Sequence, residues 1–293
     1  MKTVSRWIGA ALLLGASAAG AAGFEGTLKL RTVSVERAAA DKLAKGGDVL
    51  AITPAQLLAA KDSGAVERES TVYVRGTTVR MDTPLEKNKD GYAIVDVDKG
   101  TTWFVVPSEK RYIEWSEADT KAMTEKMGQV ETMMKERMGS LPPEQRKQVE
   151  AMLKNMKGVG SGDEPAPQVE IKALDKTQTV NGMPATAFEA KTGDETIVGW
   201  ITQEQPELSQ ALRTVQQKME KMTPAALRGR QAARNALSAK GFPVMVQTLD
   251  PQNYRVEEVL DVEAKPVSAD QFTVPKDFAR TTGRDAMKSM PQQ

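Results

Sequence analysis

Cysteine and histidine are both missing from the 293 residues of this chain. Without them a cysteine nucleophile, a Ser-His-Asp triad and the usual zinc sites cannot be built. Disulfides are excluded too, so stability has to come from packing alone, and no lipid anchor can form on an N-terminal cysteine. The net charge is only +1, so no global field draws in nucleic acid, and no such partner is expected. After residue 23 no apolar run is long enough to cross about 30 Å of hydrocarbon. Carboxylates could still act as acid and base, but no spacing singles out a pair. The expectation is a non-enzymatic protein without a cofactor or metal.

The first residues carry a pattern of their own. Lys2 and Arg6 form a short positive region, Trp7 to Ala22 are uncharged with an apolar centre at Ile8–Leu14, and small residues follow from Ala16 to Gly23. This three-part order is that of a secretory signal peptide, and cleavage after Ala22 or Gly23 leaves a small residue at each required position. Residues 1–22 are therefore expected to be a cleaved signal, and the rest a periplasmic protein that is not lipid-anchored.

Alternation of period two dominates the first part of the mature chain. Phe24–Val35 reads as a strand in which Leu28 and Leu30 share one side and Val33 and Val35 the other, a parity switch that suggests a bulge. Thr53-Pro54 opens a short helix over Ala55–Lys61. Strands return at Thr71–Met81 around Gly76, at Tyr92–Val97 and Thr101–Val106 around Asp98-Lys99-Gly100, and at Arg111–Trp115. The period then changes to helical. Ser116 with Asp119 forms a capping box, and Met123, Met127, Val130, Met134 and Met138 follow. After Gly139-Ser140 a second helix starts at Pro142-Pro143, and Gly158–Pro167 is a loop.

Strands resume at Val169–Ala173, Ala185–Ala190 and Thr196–Thr202, with Asn181-Gly182 as the clearest hairpin signal. Leu208, Ala211, Leu212, Val215, Met219 and Met222 make another helical stripe. Thr223-Pro224 begins a further helix that Gly241 ends. Val244–Leu249 and Tyr254–Val262 are the last long strands, with Tyr254, Val256, Leu260 and Val262 on one side. Phe272–Phe278 is expected to close an edge, and residues 280–293 to be a polar, disordered tail. The fold class is α+β: over residues 24–279, a curved antiparallel sheet, an incomplete β-barrel, with helices from insertions at about 116–157 and 204–240 packed on its concave face. The helices are the only available cover for an apolar sheet face.

This order resembles the periplasmic lipoprotein-carrier superfamily of LolA, LolB and RseB. The likeness rests on Phe24-Glu25-Gly26-Thr27-Leu28, on the run from Ile94 to Trp103, and on Lys110-Arg111-Tyr112. The closing Phe272-Thr273-Val274-Pro275 with Phe278 resembles the ending of an uncharacterised family of this fold. The resemblance implies a sheet plugged by helices and a hydrophobic cargo. The long helical insertion departs from the compact carriers, and their ligand-gating arginine has no counterpart, so no functional residue is carried across. Leu141-Pro142-Pro143-Glu144-Gln145-Arg146 is similar to a motif of the periplasmic stress chaperones Spy and CpxP, and is equally a good helix start.

Fifteen methionines stand in the chain, seven of them between Met123 and Met156. Thioethers are flexible and polarisable and suit promiscuous apolar binding. A methionine stripe at helical spacing is also ordinary core, and Cu(I) is weakened as a ligand by the lack of His and Cys. The tryptophans carry the same ambiguity between core and cavity lining. Arg228, Arg230, Arg234 and Lys240 with Leu227, Ala233 and Leu237 form a basic helix, either a solvated face or a transient contact with a membrane surface. Asp90, Asp96 and Asp98 are read as turn residues rather than Ca²⁺ ligands. The leading expectation is a carrier for a lipid, acyl chain or lipoprotein, lined by Trp103, Trp115, Met123, Met127, Met134, Met138, Trp200 and Met219. The alternative is a chaperone or envelope-stress module acting through the Met-rich helices.

Overall fold

A computed structural model of the protein describes residues 24–86, 89–138, 169–192, 195–222 and 225–288. Six strands come first: β1 (Glu25–Glu36), β2 (Val66–Arg75), β3 (Thr78–Glu86), β4 (Lys89–Asp96), β5 (Thr101–Val106) and β6 (Arg111–Ser116). Between β1 and β2 lie the short helices α1 (Arg37–Ala44) and α2 (Pro54–Ala59), the latter opened by a full Thr53/Gln56 capping box. Helix α3 (Glu117–Met138) follows β6. Then come β7 (Glu170–Val180), β8 (Met183–Thr192) and β9 (Glu195–Thr202), helices α4 (Pro206–Met222) and α5 (Ala225–Ser238), and β10 (Phe242–Leu249) and β11 (Asn253–Ala264). A short β12 (Ala279–Thr282) and α6 (Gly283–Lys288) complete the described chain.

All the strands join one open sheet in the order β12-β6-β5-β4-β3-β2-β1-β11-β10-β9-β8-β7. The fold is thus mostly β, with a few helices. Two antiparallel meanders, β1–β6 and β7–β11, meet where β1 pairs with β11. Local signals set the hairpins. Asn181 and Gly182 both have positive φ, 47° and 87°, as a two-residue type I′ loop requires. Asp96 accepts from the Lys99 backbone N–H at 3.0 Å and fixes the β4–β5 turn.

Strand register defines two faces. On the first, Leu28, Val72, Met81, Ala93, Phe104 and Ile113 are successive partners across β1 to β6, beside Val74, Val79, Val95 and Trp115. All ten are buried, and full burial of a Val, Leu, Ile or Phe side chain stabilises by about 1.5–3 kcal/mol. Helix α4 covers this face with Leu208, Ala211, Leu212, Val215 and Met219. Helix α5 covers its β8–β9 part, where Ala233 and Leu237 pack on Ala190, Ile197 and Ile201.

The second face is covered as well, which departs from the expectation that helices on one side are the whole cover. Val33 and Val35 pair with Val256 and Tyr254 there and pack with Val49, Ile52 and Leu57 of the α1–α2 excursion. Polar contacts tie that excursion down: Tyr254 Oη donates to Ile52 O at 2.9 Å, and Gln247 Nε2 donates to Leu50 O at 2.7 Å. The parity switch in β1 therefore reflects burial on both sides. β1 stays in continuous register with β2. The irregularity is on β11, where the partner steps from Asp261 to Val259 and Leu260 is skipped. This bulge also corrects the side assignment along β11, because Val256 lies opposite Val33 and Val262 opposite Leu28.

Phe272–Phe278 does not pair as an edge strand. Phe272, Val274 and Phe278 instead lie against Tyr92, Ile94, Trp103, Val105 and Tyr112 on the second face. Arg80 latches this segment: its guanidinium stacks 3.8 Å from the Tyr92 ring centroid, pairs with Asp82 and donates to Gln271 O at 3.1 Å. The edge strand is β12, which runs parallel to β6, and α6 then buries Ala286. Residues 279–288 are therefore structured where a disordered tail was expected from residue 280. Main-chain hydrogen bonding to a free edge outweighs their polar composition.

Candidate functional site

Where β1, β11 and β10 pass beneath α4 and α5, the packing leaves a cavity of about 100 Å³. Two breaks in the sheet open it. One is the skipped Leu260, beside Leu30 and Val259. The other lies in β10, where the pairing with β9 shifts between Pro243 and Met245; proline has no N–H for a regular ladder and is tolerated at such a bulge. The turn from α5 into β10 passes through Gly241 (φ +144°), where a Cβ would stand 2.7 Å from Thr202 O. Only glycine fits that approach, and it brings the end of α5 over the β9–β10 pair.

The floor and walls are apolar: Leu28, Leu30, Leu212, Phe242, Pro243, Val246 and Val259. Polar groups join them, from Ser209 and Arg213 of α4, Arg234 and Ser238 of α5, and Thr32 and Glu257 of the sheet, while Glu258 borders the cavity with its side chain on the second face beside Arg31. The ion pairing is uneven. Arg234 donates to Glu257 Oε2 at 2.6 Å and to Thr248 Oγ1 at 3.1 Å. Arg255 Nε approaches the other oxygen of Glu257 at 3.5 Å without hydrogen-bond geometry. Glu258 is held by Arg31. Both carboxylates are thus occupied by other guanidiniums. Arg213 is half-buried, its Nε is inaccessible, and it has no hydrogen-bond or ion-pair partner among the described residues. One turn on, Gln216 is 3% exposed, and both of its side-chain amide atoms lack a partner among the described residues. Leaving a buried polar group unmet costs about 1–3 kcal/mol, and more for a charged one.

None of the sequence-predicted residues with described side chains lines this cavity. Trp103 lies on the opposite face under the Phe272–Phe278 segment and donates to Glu114 Oε2 at 3.1 Å. Trp200 is also on that face, by its pairing with Met245 and through it Glu258, and it donates to Gln247 Oε1 at 2.9 Å. Trp115 is buried near α3 and donates to Thr120 Oγ1 at 2.8 Å. Met123 packs beside the same core, and Met219 is buried within it. The side chains of Met127, Met134 and Met138 lie outside the described residues, as do Pro142-Pro143 and the helix expected there.

Arg234 is corrected too. Its side chain is only 14% exposed and turns to the sheet, so it is not available to headgroups. The residues that sequence reasoning missed are the polar ones within α4's apolar stripe. Ser209, Arg213 and Gln216 stand at i, i+4 and i+7, one helical side, and that periodicity was available to find them. Among the described residues no cluster of His, Cys, Asp or Glu could hold a metal ion.

The chain belongs to the DUF4412 family, a domain of unknown function, whose model matches residues 93–278. No curated protein matches. Two solved structures of PNGF-II, in the C2 and P21 space groups, are similar at 8% and 7% identity with a TM-score of 0.36. Each match covers 90% of this chain and 32% of the other, so the chain spans about a third of those proteins.

Proposed function

We propose that this protein is a non-enzymatic binding or carrier protein of the bacterial periplasm that takes a hydrophobic ligand, a lipid or lipoprotein acyl chain, between its sheet and helices α4 and α5. The sheet would curve as an incomplete barrel around that site, in the manner of the lipoprotein carriers the sequence resembles. The observation that carries the reading is the cavity itself, lined by Leu28, Leu30, Leu212, Phe242, Val246 and Val259 at two breaks in the strand ladder. An apolar pocket with a few convergent polar groups is the usual form of a small-ligand site. The signal-like pattern of the first 22 residues supports export.

Native mass spectrometry of the full chain purified from the cell envelope, followed by lipid extraction, tests this reading. Near-stoichiometric lipid is expected. A clean apo mass, together with failure of the protein to take up a lipophilic fluorophore, rejects it.

One observation favours a second reading, an interaction module. Beyond the first two turns of α3, Glu125, Lys126, Gln129, Thr132, Met133 and Glu136 are all exposed. Replacing residues 125–157 with a flexible linker would then abolish suppression of client aggregation, and retained suppression excludes it.

A further inference from the structure

We propose that the cavity is built for an anionic amphiphile, with Arg213 as the receptor for the charged head and the apolar floor for the start of the chain. This deepens the carrier reading and rests on it. Three observations converge. First, the cavity is mixed: Leu28, Leu30, Leu212, Phe242 and Val259 line it together with Arg213 and Ser209 of α4. A ligand filling it meets both hydrocarbon and a guanidinium.

Second, Arg213 has no ion-pair partner among the described residues. Glu257 is shared by Arg234 and Arg255, and Glu258 is engaged by Arg31. Glu257 cannot turn to Arg213 without releasing Arg234, which is itself largely buried, and Glu258 lies on the opposite face of the sheet. Third, one nitrogen of the guanidinium is already desolvated. Among the described residues Arg213 Nε is inaccessible and unpartnered, and Gln216 on the same helical side holds an unmet amide N–H and C=O. A carboxylate or phosphate oxygen entering beside α4 would accept a charge-assisted hydrogen bond from Arg213 at little further desolvation cost. A neutral ligand of the same shape would leave Arg213 Nε buried and unmet.

The test measures binding of three probes to the full chain by calorimetry at neutral pH: decanoate (chain and charge), decanol (chain alone) and acetate (charge alone). Decanoate is expected to bind roughly tenfold or more tighter than decanol, with acetate weaker than both. In Arg213→Gln the preference for decanoate over decanol should shrink to about twofold or less, and in Arg213→Lys part of it should survive. Circular dichroism and thermal melting of both variants establish that they are folded. Equal binding of decanoate and decanol to the native protein, or a preference unchanged in folded Arg213→Gln, overturns the inference and leaves the carrier reading standing. Acetate binding as tightly as decanoate overturns it in favour of a bare anion site. If neither ten-carbon probe binds, the carrier reading falls, and this inference with it.

Discussion

Tyr254 shows how one side chain couples burial to pH. It is fully buried, its hydroxyl donates to Ile52 O, and it accepts from Gln247 Nε2 at 2.8 Å. Burial pushes the phenol up to about 12 from its ordinary 10.0, with the Gln247 hydrogen bond opposing. Above pH 10 the unfolded chain loses this proton while the folded chain keeps it, so the unfolded state binds fewer protons and stability falls as pH rises. The loss should begin near pH 10, be complete above about 12, and amount to about 2–3 kcal/mol. Tyr92 is shifted up as well, by burial with Arg80 opposing, and adds to the same trend. Urea titrations across this range should show a flatter profile for Tyr254→Phe than for the native protein. At neutral pH the variant should be less stable by about 1–2 kcal/mol, because Gln247 and Ile52 O each lose a partner. Equal slopes for the two proteins would mean that Tyr254 does not stay protonated. At this scale the sequence is readable where the chemistry is local: Asn181-Gly182 and the Ser116/Asp119 box form as their spacing predicts. It is unreadable where a partner is remote. Nothing near Arg234 in sequence signals that Glu257 and Thr248 will turn it inward.

Elements were legible by their periods, and their pairing partners only in part. Hairpins join neighbours, so β2–β3, β4–β5 and β7–β8 follow from turn chemistry. The pairing of β1 with β11 links Arg31 to Glu258, 227 positions apart, and no local signal encodes it. The least legible element is β12. Its residues Ala279-Arg280-Thr281-Thr282 have neither alternation nor an apolar run, and they order because the β6 edge offers unpaired main-chain groups. α6 then closes over Trp115, where a Cβ on Gly283 would sit 2.7 Å from the ring, and the Arg284 N–H donates to Asp119 Oδ1 at 3.1 Å. Ending the chain after Phe278 should therefore free the β6 edge and expose Trp115. The expected outcome is a loss of about 1–3 kcal/mol, a red-shifted tryptophan emission, and concentration-dependent association by light scattering. A monomer with native emission would show that β12 and α6 are not needed to protect that edge.

On the scale of the whole molecule, the cavity and its proposed cargo do not match in size. About 100 Å³ falls below the roughly 300–1,000 Å³ of sites that enclose drug-sized ligands, so a long acyl chain requires the helical cover to move. Helix α5 is the better candidate for that movement, because it rests on β8 and β9 through a separate small cluster, Ala233 and Leu237 on Ala190, Ile197 and Ile201. α4, in contrast, is continuous with the main core. A chain without cysteine permits a clean test. A Cβ on Gly199 would lie 3.3 Å from Leu237 Cδ1, so the two positions face each other across the contact, and a Gly199→Cys/Leu237→Cys pair, its bridge verified by mass spectrometry, would pin α5 to β9. Oxidised, this variant should bind palmitate roughly tenfold more weakly than in its own reduced state, since locking α5 removes the open population from which uptake occurs. The reduced form controls for any damage to packing, and each single variant controls for the thiol. If the oxidised form binds palmitate as well as the reduced one, α5 is a fixed wall, and a long chain can enter only by displacing α4 from the main core.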